Sequence, residues 1–169
     1  MALGELIVGR RPRPSVLHEV RIYRGLPDPA RQLTLAMVND RQTVAWSGDR
    51  RVVTFRRPLR YPPDWPASKP QEKGIDVALA VDLVRLAAQG AFDVAVVFSR
   101  DTDLMPAPEA VHSISTVRVH LEVATWKGAG RLRFSNTNLP WCHILDREDY
   151  RTIRDETDYL RRAGPGDTT

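Results

Sequence analysis

Two carboxylates stand one residue apart directly after an apolar run that is typical of a buried strand. The run DVAVVF ends at Phe98, and Asp101 and Asp103 follow it in the segment SRDTDLMPAPEAV. Two such charges repel each other at neutral pH unless a cation lies between them. Oxygen ligands select a hard divalent ion such as Mg²⁺ or Mn²⁺, and an ion of this kind activates water for displacement at phosphorus. The pattern therefore indicates a candidate metal site.

A third carboxylate, Asp76, stands at the start of a predicted helix, IDVALAVDLVRLAAQG. Because ligands bind at the carboxyl ends of strands in open parallel sheets, Asp76 is expected to reach this edge from the side. Asp82 lies about 9 Å further along the helix axis. There it could bind a second metal or form a hydrogen bond to a metal ligand, and a solvated helix position is an equal alternative. A lone Asp after a strand is more often a helix N-cap, so the metal hypothesis depends on the pair together with Asp76.

The elements that must position these carboxylates alternate between strand and helix. Strands are predicted around Val20–Tyr23 and over RRVVTFRRP, DVAVVFS, VRVHLEVATW and WCHILD. Helices are predicted over DPARQLTLAMVNDRQTVAW, from Gly74 to Gly90, from near Asp103 through Val111, and over REDYRTIRDETDYLRR. The alternation predicts an α/β fold with a parallel sheet between helices. The length of 169 residues favours one domain over residues 1–160, with a flexible tail over 161–169.

Two of these elements carry sharper expectations. The first long helix has apolar residues at helical spacing, Leu33, Met37 and Val44, with Asp28 as a candidate N-cap. The run DVAVVFS is apolar on both faces, which is typical of a central strand in a parallel sheet.

A basic, aromatic loop precedes the helix that carries Asp76. The segment PLRYPPDWPASKPQEKG contains five prolines between Pro58 and Pro70, which excludes a regular element. Its cations could contact phosphates and its aromatic rings could stack on bases of single-stranded RNA. The alternative is a stiff linker whose aromatic side chains pack against the domain. The candidate nucleic-acid-binding residues are Arg56, Arg57, Arg60, Tyr61, Trp65 and Lys73.

Charge and cysteine content set broader bounds. The formal net charge is +4, and only three of the 25 basic residues are Lys. Arginine suits phosphate recognition, although a compositional bias toward arginine codons is an equal alternative. The single Cys142 excludes an internal disulfide and a four-cysteine zinc site. Without an apolar run of membrane-spanning length or a convincing signal peptide, a cytoplasmic protein with no membrane partner is the simplest interpretation. A homo-oligomer is compatible with the sequence.

The segments KGIDVALAVDLVRLA and DVAVVFSRDTDLMPAPEAV together resemble the LabA-like NYN domain of the PIN-like nuclease superfamily. The resemblance is strongest over residues 72–111 and weaker over residues 20–149. It implies a Rossmann-like three-layer α/β/α sandwich and a Mg²⁺-dependent or Mn²⁺-dependent ribonuclease. It also implies that the metal carboxylates are Asp76, Asp101 and Asp103, with Asp82 as a fourth acidic position.

Two departures from the family pattern bear on activity. Arg100 stands where the family commonly has glycine, beside the acidic pair, where it could contact substrate phosphate or lower activity. The family's usual first strand, which ends in Asp, has no match before Val20, because ELIVG is too short. Either the start is assigned too late or the chain is a reduced version. The alternative to a ribonuclease is therefore a catalytically incomplete module that binds RNA or regulates.

Overall fold

The computed structural model describes residues 1–114, 119–133 and 140–161. In chain order the elements are α1 (Ala2–Gly9), β1 (Val20–Leu26), α2 (Leu33–Ser47), β2 (Val52–Pro58), α3 (Ile75–Ala88), β3 (Val94–Phe98), a 3-10 helix (Thr102–Leu104), α4 (Pro106–Ser113), β4 (His120–Trp126), β5 (Cys142–Leu145) and α5 (Arg147–Ile153). Every pairing between these strands is parallel, which confirms the predicted α/β fold.

The described elements fall into two compact units. The first unit comprises residues 19–73 and 155–161, together with Met1, and the second comprises residues 2–18 and 74–154. The single domain expected over residues 1–160 stays a prediction. Residues 162–169 of the expected tail lie outside the described residues.

The first unit is built on the parallel pair β1 and β2. Tyr23 of β1 lies opposite Phe55 of β2, and their rings stack with centroids 5.0 Å apart. Near the carboxyl end of β1, two side chains form hydrogen bonds with the backbone of Gly25. Glu72 accepts a hydrogen bond from the Gly25 N–H at 2.6 Å, and Asn39 Nδ2 donates to the Gly25 carbonyl at 2.9 Å. A Cβ at this position would lie 2.3 Å from Leu59 Cδ2 and 2.9 Å from Glu72 Oε1, so any larger residue would have to displace these two side chains.

The second unit has three layers, with the sheet β3-β4-β5 in the middle. Helices α3 and α4 cover one face, where Leu83 and Val111 share a buried cluster with Val123 of the sheet. Helix α1 covers the other face, where Ile7 packs with Leu145. This arrangement confirms the expected α/β/α sandwich.

Strand β3 is apolar on both faces, as its sequence predicts, because Val97 packs on the α3 side and Val96 on the α1 side. Within the described residues it is nevertheless an edge strand, since it pairs only with β4. The prediction of a central strand was wrong because helices can cover both faces of an edge strand as fully as those of a central one. The absence of a strand before Val20 is confirmed, since residues 2–9 form α1.

Helix α2 begins later than the sequence suggests. Asp28 is not its N-cap: Asp28 Oδ1 accepts a hydrogen bond from the Ala30 N–H at 2.9 Å and so closes a separate turn. The apolar residues at helical spacing are all exposed, with Leu33 at 60% and Val44 at 75%. The buried side of α2 instead includes the polar residue Asn39, whose amide donates a hydrogen bond to the Gly25 carbonyl of β1.

Helix α5 ends at Ile153, whereas the charged sequence predicts that it continues to the end of the REDYRTIRDETDYLRR run. The residues that follow make other bonds. Asp155 Oδ1 accepts from the Thr157 N–H at 2.9 Å, and Arg41 Nη1 donates to the Tyr159 carbonyl at 2.8 Å. These contacts replace the helical hydrogen bonds that the composition favours.

Candidate functional site

The two carboxylates after β3 lie in a tight turn that leads into the 3-10 helix. The Asp101 N–H donates to Ser99 Oγ at 3.1 Å, and Asp101 Oδ1 accepts from the Asp103 N–H at 2.9 Å. Asp101 is therefore the N-cap of the 3-10 helix, which is the structural alternative that the sequence left open. Leu104, only 2% exposed, anchors the turn in the core shared with α3 and α4.

Part of this acidic pair remains available to a ligand. Asp103 is exposed, and no described residue bonds its carboxylate. Asp101 is half-buried and commits Oδ1 to the cap bond. The turn therefore presents carboxylate oxygens at the carboxyl end of a parallel strand, where ligands of such sheets bind.

Asp76 lies in the first turn of α3 and is exposed. Helical spacing places it on the same side of α3 as Leu83 and Ala87, which are buried in the core. Asp76 thus stands at the exposed end of the face with which α3 packs into the unit. The 3-10 helix contacts α3, so the structure brings together the two elements that carry the three predicted catalytic residues.

The chemistry of this donor set fits a hard divalent ion, because all its ligands are oxygens. In the part of the chain that the structure describes, however, no three His, Cys, Asp or Glu side chains form a group that could hold a metal ion. The three carboxylates therefore do not form a closed ligand set.

Asp82, the predicted fourth acidic residue, is engaged within its own helix. Its Oδ1 lies 2.8 Å from Arg85 Nη2, and its side chain is 15% exposed. Six residues of α-helix rotate it by about 120° from Asp76. Asp82 is thus paired within its own helix and is less solvated than the helix position that the sequence offered as the alternative.

The aromatic residues of the proline-rich loop pack within the first unit. The Tyr61 hydroxyl accepts from the Asp28 N–H at 2.9 Å and donates to Gln32 Oε1 at 2.8 Å. The Arg31 guanidinium lies 4.7 Å from the Tyr61 ring centroid, and Trp65 meets the same ring edge to face at 5.1 Å. These contacts support the alternative in which the loop aromatics are structural.

The predicted phosphate-binding cations differ in availability. Arg56 forms an ion pair with Asp40, so its charge is already compensated. The other predicted cations are exposed. Among the described residues, the side chains of Arg60, Lys73 and Arg100 have no ion-pair partner. The exposed members of the predicted set are Arg57, Arg60, Lys73 and Arg100.

A buried charge network in the second unit was missed by sequence reasoning. Glu122 of β4 pairs with Arg11 Nη2 at 2.8 Å through Oε1, and its Oε2 lies 2.7 Å from His143 Nε2. Burial alone would raise the pKa of Glu122, but the hydrogen bonds from Arg11 and His143 outweigh it and hold that pKa below its usual range. The signal was a lone Glu inside the apolar strand HLEVATW.

Sequence reasoning also missed an aromatic cluster at the carboxyl edge of the same sheet. The Trp126 ring meets the Phe98 ring edge to face at 5.8 Å and the Tyr150 ring at 6.0 Å. Phe98 ends β3 and Trp126 ends β4, so two aromatic residues at strand ends were the available signal. Trp126 and Tyr150 line a cleft of about 790 Å³.

Comparison with protein-family models matches residues 46–134, just over half of the chain, to the NYN domain. The matched segment contains Asp76, Asp101 and Asp103. No curated protein and no solved structure shows a significant match. None of the helices in the described ranges is long and apolar enough to cross a membrane.

Proposed function

The chain belongs to the NYN domain family, and we propose that it is a metal-dependent ribonuclease that hydrolyses phosphodiester bonds of single-stranded RNA. The observation that carries the proposal is the pair Asp101 and Asp103 in the turn after β3, inside the segment that matches the family. Together with Asp76 on the adjoining α3, these are the proposed catalytic residues.

The proposed cofactor is Mg²⁺ or Mn²⁺, held by carboxylate oxygens of Asp76, Asp101 and Asp103. The chemistry that such an ion supplies when bound is activation of water and stabilisation of charge on the phosphodiester. A hard ion of this size keeps several waters in its coordination shell, so it does not need a cage made only of protein ligands. An open set of three carboxylates is therefore compatible with this cofactor.

The remaining residues of the proposed site act on the substrate. Asp103 and Asp76 are exposed, which leaves the edge accessible to a polymeric substrate. Arg100 is exposed next to Asp101, where its guanidinium can donate two parallel hydrogen bonds to a phosphate group. Separately from this site, the exposed cations of the first unit are proposed to attract the RNA backbone independently of its sequence.

A second candidate function is an RNA-binding module that lacks catalysis. It is favoured by one specific observation: Asp101 already has a structural role as the N-cap, so its presence does not require a metal. Asp82 likewise has its own partner in Arg85. This alternative retains the exposed cations and predicts affinity without turnover.

The two functions are separated by incubating the chain with a fluorescently labelled, unstructured RNA in Mn²⁺ or in EDTA. The ribonuclease produces shortened RNA in Mn²⁺ and none in EDTA, because cleavage depends on the ion. Retention of RNA on the protein with no shortening in either buffer would support the binding module and contradict the ribonuclease.

A further inference from the structure

The aromatic cluster of Phe98, Trp126 and Tyr150 leaves two of its rings partly exposed to water. Phe98 is 38% exposed and Tyr150 is 53% exposed, although both rings pack edge to face on Trp126. Exposed aromatic rings provide flat surfaces on which a nucleic-acid base can stack. The cluster lies at the carboxyl ends of β3 and β4, the edge at which parallel sheets bind ligands.

The cleft beside the cluster is lined by three cations, Lys127, Arg147 and Arg151. Its two carboxylates are engaged: Asp146 accepts backbone hydrogen bonds at the start of α5, and Glu148 pairs with Arg151 at 3.1 Å. No described residue forms an ion pair with Lys127 or Arg147. Three cations against two carboxylates leave the cleft with an excess of one positive charge beside the exposed rings.

We infer that this cleft binds bases of single-stranded RNA. One base stacks on the Tyr150 ring in the cleft, a neighbouring base stacks on the exposed Phe98 ring, which lies outside the cleft on the other side of the same cluster, and the phosphates contact Lys127 and Arg147. Aromatic rings beside cations are the common means of holding single strands, since every base has a face on which a ring can stack. An excess of positive charge favours the polyanion over an acidic or neutral partner.

The inference rests on the proposed function and specifies where the substrate is held. Phe98 precedes Asp101 by three residues, so the backbone between them spans about 10 Å at most. A base held at Phe98 is thus close to the proposed catalytic pair. By contrast, the ring of Tyr61 is already covered by Arg31, which leaves it less surface for a base.

The first test uses the intrinsic fluorescence of the cleft. Replacing Trp46, Trp65 and Trp141 by Phe leaves Trp126 as the only Trp among the four in the chain. In EDTA, this variant is titrated with oligouridylate and with an abasic oligomer of the same length. Emission should change with oligouridylate and much less with the abasic oligomer. An unchanged emission with saturating oligouridylate, or equal responses to both oligomers, overturns base binding in the cleft.

The second test changes the exposed ring in the otherwise unaltered chain. Because stacking contributes about 1–3 kcal/mol per base and 1.4 kcal/mol is tenfold, Tyr150→Ala should weaken oligouridylate binding about tenfold. Tyr150→Phe keeps the ring and should bind as the parent does. Trp141→Ala is the matched control, since Trp141 is 57% exposed but does not line the cleft. If Tyr150→Ala and the control bind oligouridylate with equal affinity, the inference is contradicted. The same result is expected if the cleft binds a protein partner instead of RNA.

Failure of this inference and failure of the proposed function give different results. Binding is measured in EDTA, where no cleavage is expected, so it does not depend on turnover. If cleavage depends on Mn²⁺ but Tyr150→Ala does not change the affinity for oligouridylate, only the inference about the cleft is overturned. Base-dependent binding in the cleft without Mn²⁺-dependent cleavage overturns only the ribonuclease.

Discussion

Asp101 is the residue for which a structural role and a chemical role are hardest to separate. Its Oδ1 caps the 3-10 helix by accepting the Asp103 N–H, and the same carboxylate is a proposed metal ligand. Asparagine retains an oxygen that can accept this hydrogen bond but lacks the negative charge. The change Asp101→Asn therefore tests the chemical role while preserving the cap.

We expect Mn²⁺ to raise the melting temperature of the parent chain and not that of Asp101→Asn. A ligand that binds only the folded state stabilises it by about 2.7 kcal/mol at a hundred times its Kd. Asp93→Asn is the matched control, because Asp93 is an exposed carboxylate at the opposite end of β3. Thermal melts in EDTA and in Mn²⁺ measure the difference. Equal shifts in the parent and Asp101→Asn would show that the ion binds elsewhere.

Sequence reasoning located these carboxylates but could not assign their bonds. The position of Asp101 and Asp103 after a strand follows from the end of the apolar run at Phe98. The cap bond could not be predicted, because an N-cap and a metal ligand require the same residue type. The ion pair of Arg56 with Asp40 could not be predicted from the sequence either, because it depends on how α2 packs beside β2.

Among the elements of the second unit, α1 is fixed by two consecutive arginines that follow it and bond to α5 and β4. Arg10 Nη1 donates to Asp149 Oδ2 of α5 at 2.8 Å, and Arg11 pairs with Glu122 of β4. The Arg11 and Glu122 side chains are each only 10% exposed. Removing Glu122 would leave Arg11 as an uncompensated buried charge.

Glu122→Ala should therefore lower the free energy of unfolding by about 3–5 kcal/mol. Glu148→Ala is the control, because its pair with Arg151 is exposed and such pairs contribute about 0–1 kcal/mol. Urea denaturation near neutral pH compares the two variants. Similar, small losses in both would contradict a structural role for the buried network.

The same network gives the expected pH dependence of this prediction. The pKa of Glu122 is lowered in the folded state, so its ion pair stabilises the fold above the unfolded pKa of about 4.3. This contribution is lost as pH falls through the lower folded pKa. The parent should therefore lose stability in acid more steeply than Glu122→Gln, and parallel curves would contradict the assignment.

The elements with strong local signals were predicted well. Helix α3 follows from strong helix formers and from Gly90, which has a φ of 64° just past its end. Helix α5 was predicted too long, because contacts such as that of Arg41 with the Tyr159 carbonyl are not encoded in local composition. The aromatic cluster was missed because Tyr150 joins Phe98 and Trp126 only in the folded chain.

For the whole molecule, the net charge of +4 does not show which cations are paired with carboxylates and which are available to RNA. Arg51 and Arg85 are compensated by Asp49 and Asp82, whereas Arg60 and Lys73 have no ion-pair partner among the described residues. Affinity for RNA should therefore depend on which cations are removed and not only on how many.

Replacing Arg60, Lys73 and Arg100 by Gln should flatten the salt dependence of RNA binding. Each lost phosphate contact reduces the slope of log K against log salt by about 0.7 for single strands. The control replaces Arg21, Arg51 and Arg85, which carry the same charge but are paired with carboxylates. Fluorescence anisotropy at several KCl concentrations gives both slopes. Equal slopes of log K against log salt for the two triple variants would contradict RNA binding by these cations and would support the interpretation of the loop as a linker.

The carboxylates of the second unit are proposed to catalyse metal-dependent cleavage of RNA. The most direct measurement is the initial rate of cleavage of single-stranded RNA in Mn²⁺ by the parent, Asp103→Asn and Asp93→Asn. Because misplacement of reacting groups by about 1 Å costs on the order of a hundredfold in rate, we expect Asp103→Asn to lose at least that much. Asp93→Asn should retain the parental rate. Cleavage that persists in Asp103→Asn, or an absence of Mn²⁺-dependent cleavage by the parent, would contradict the claim.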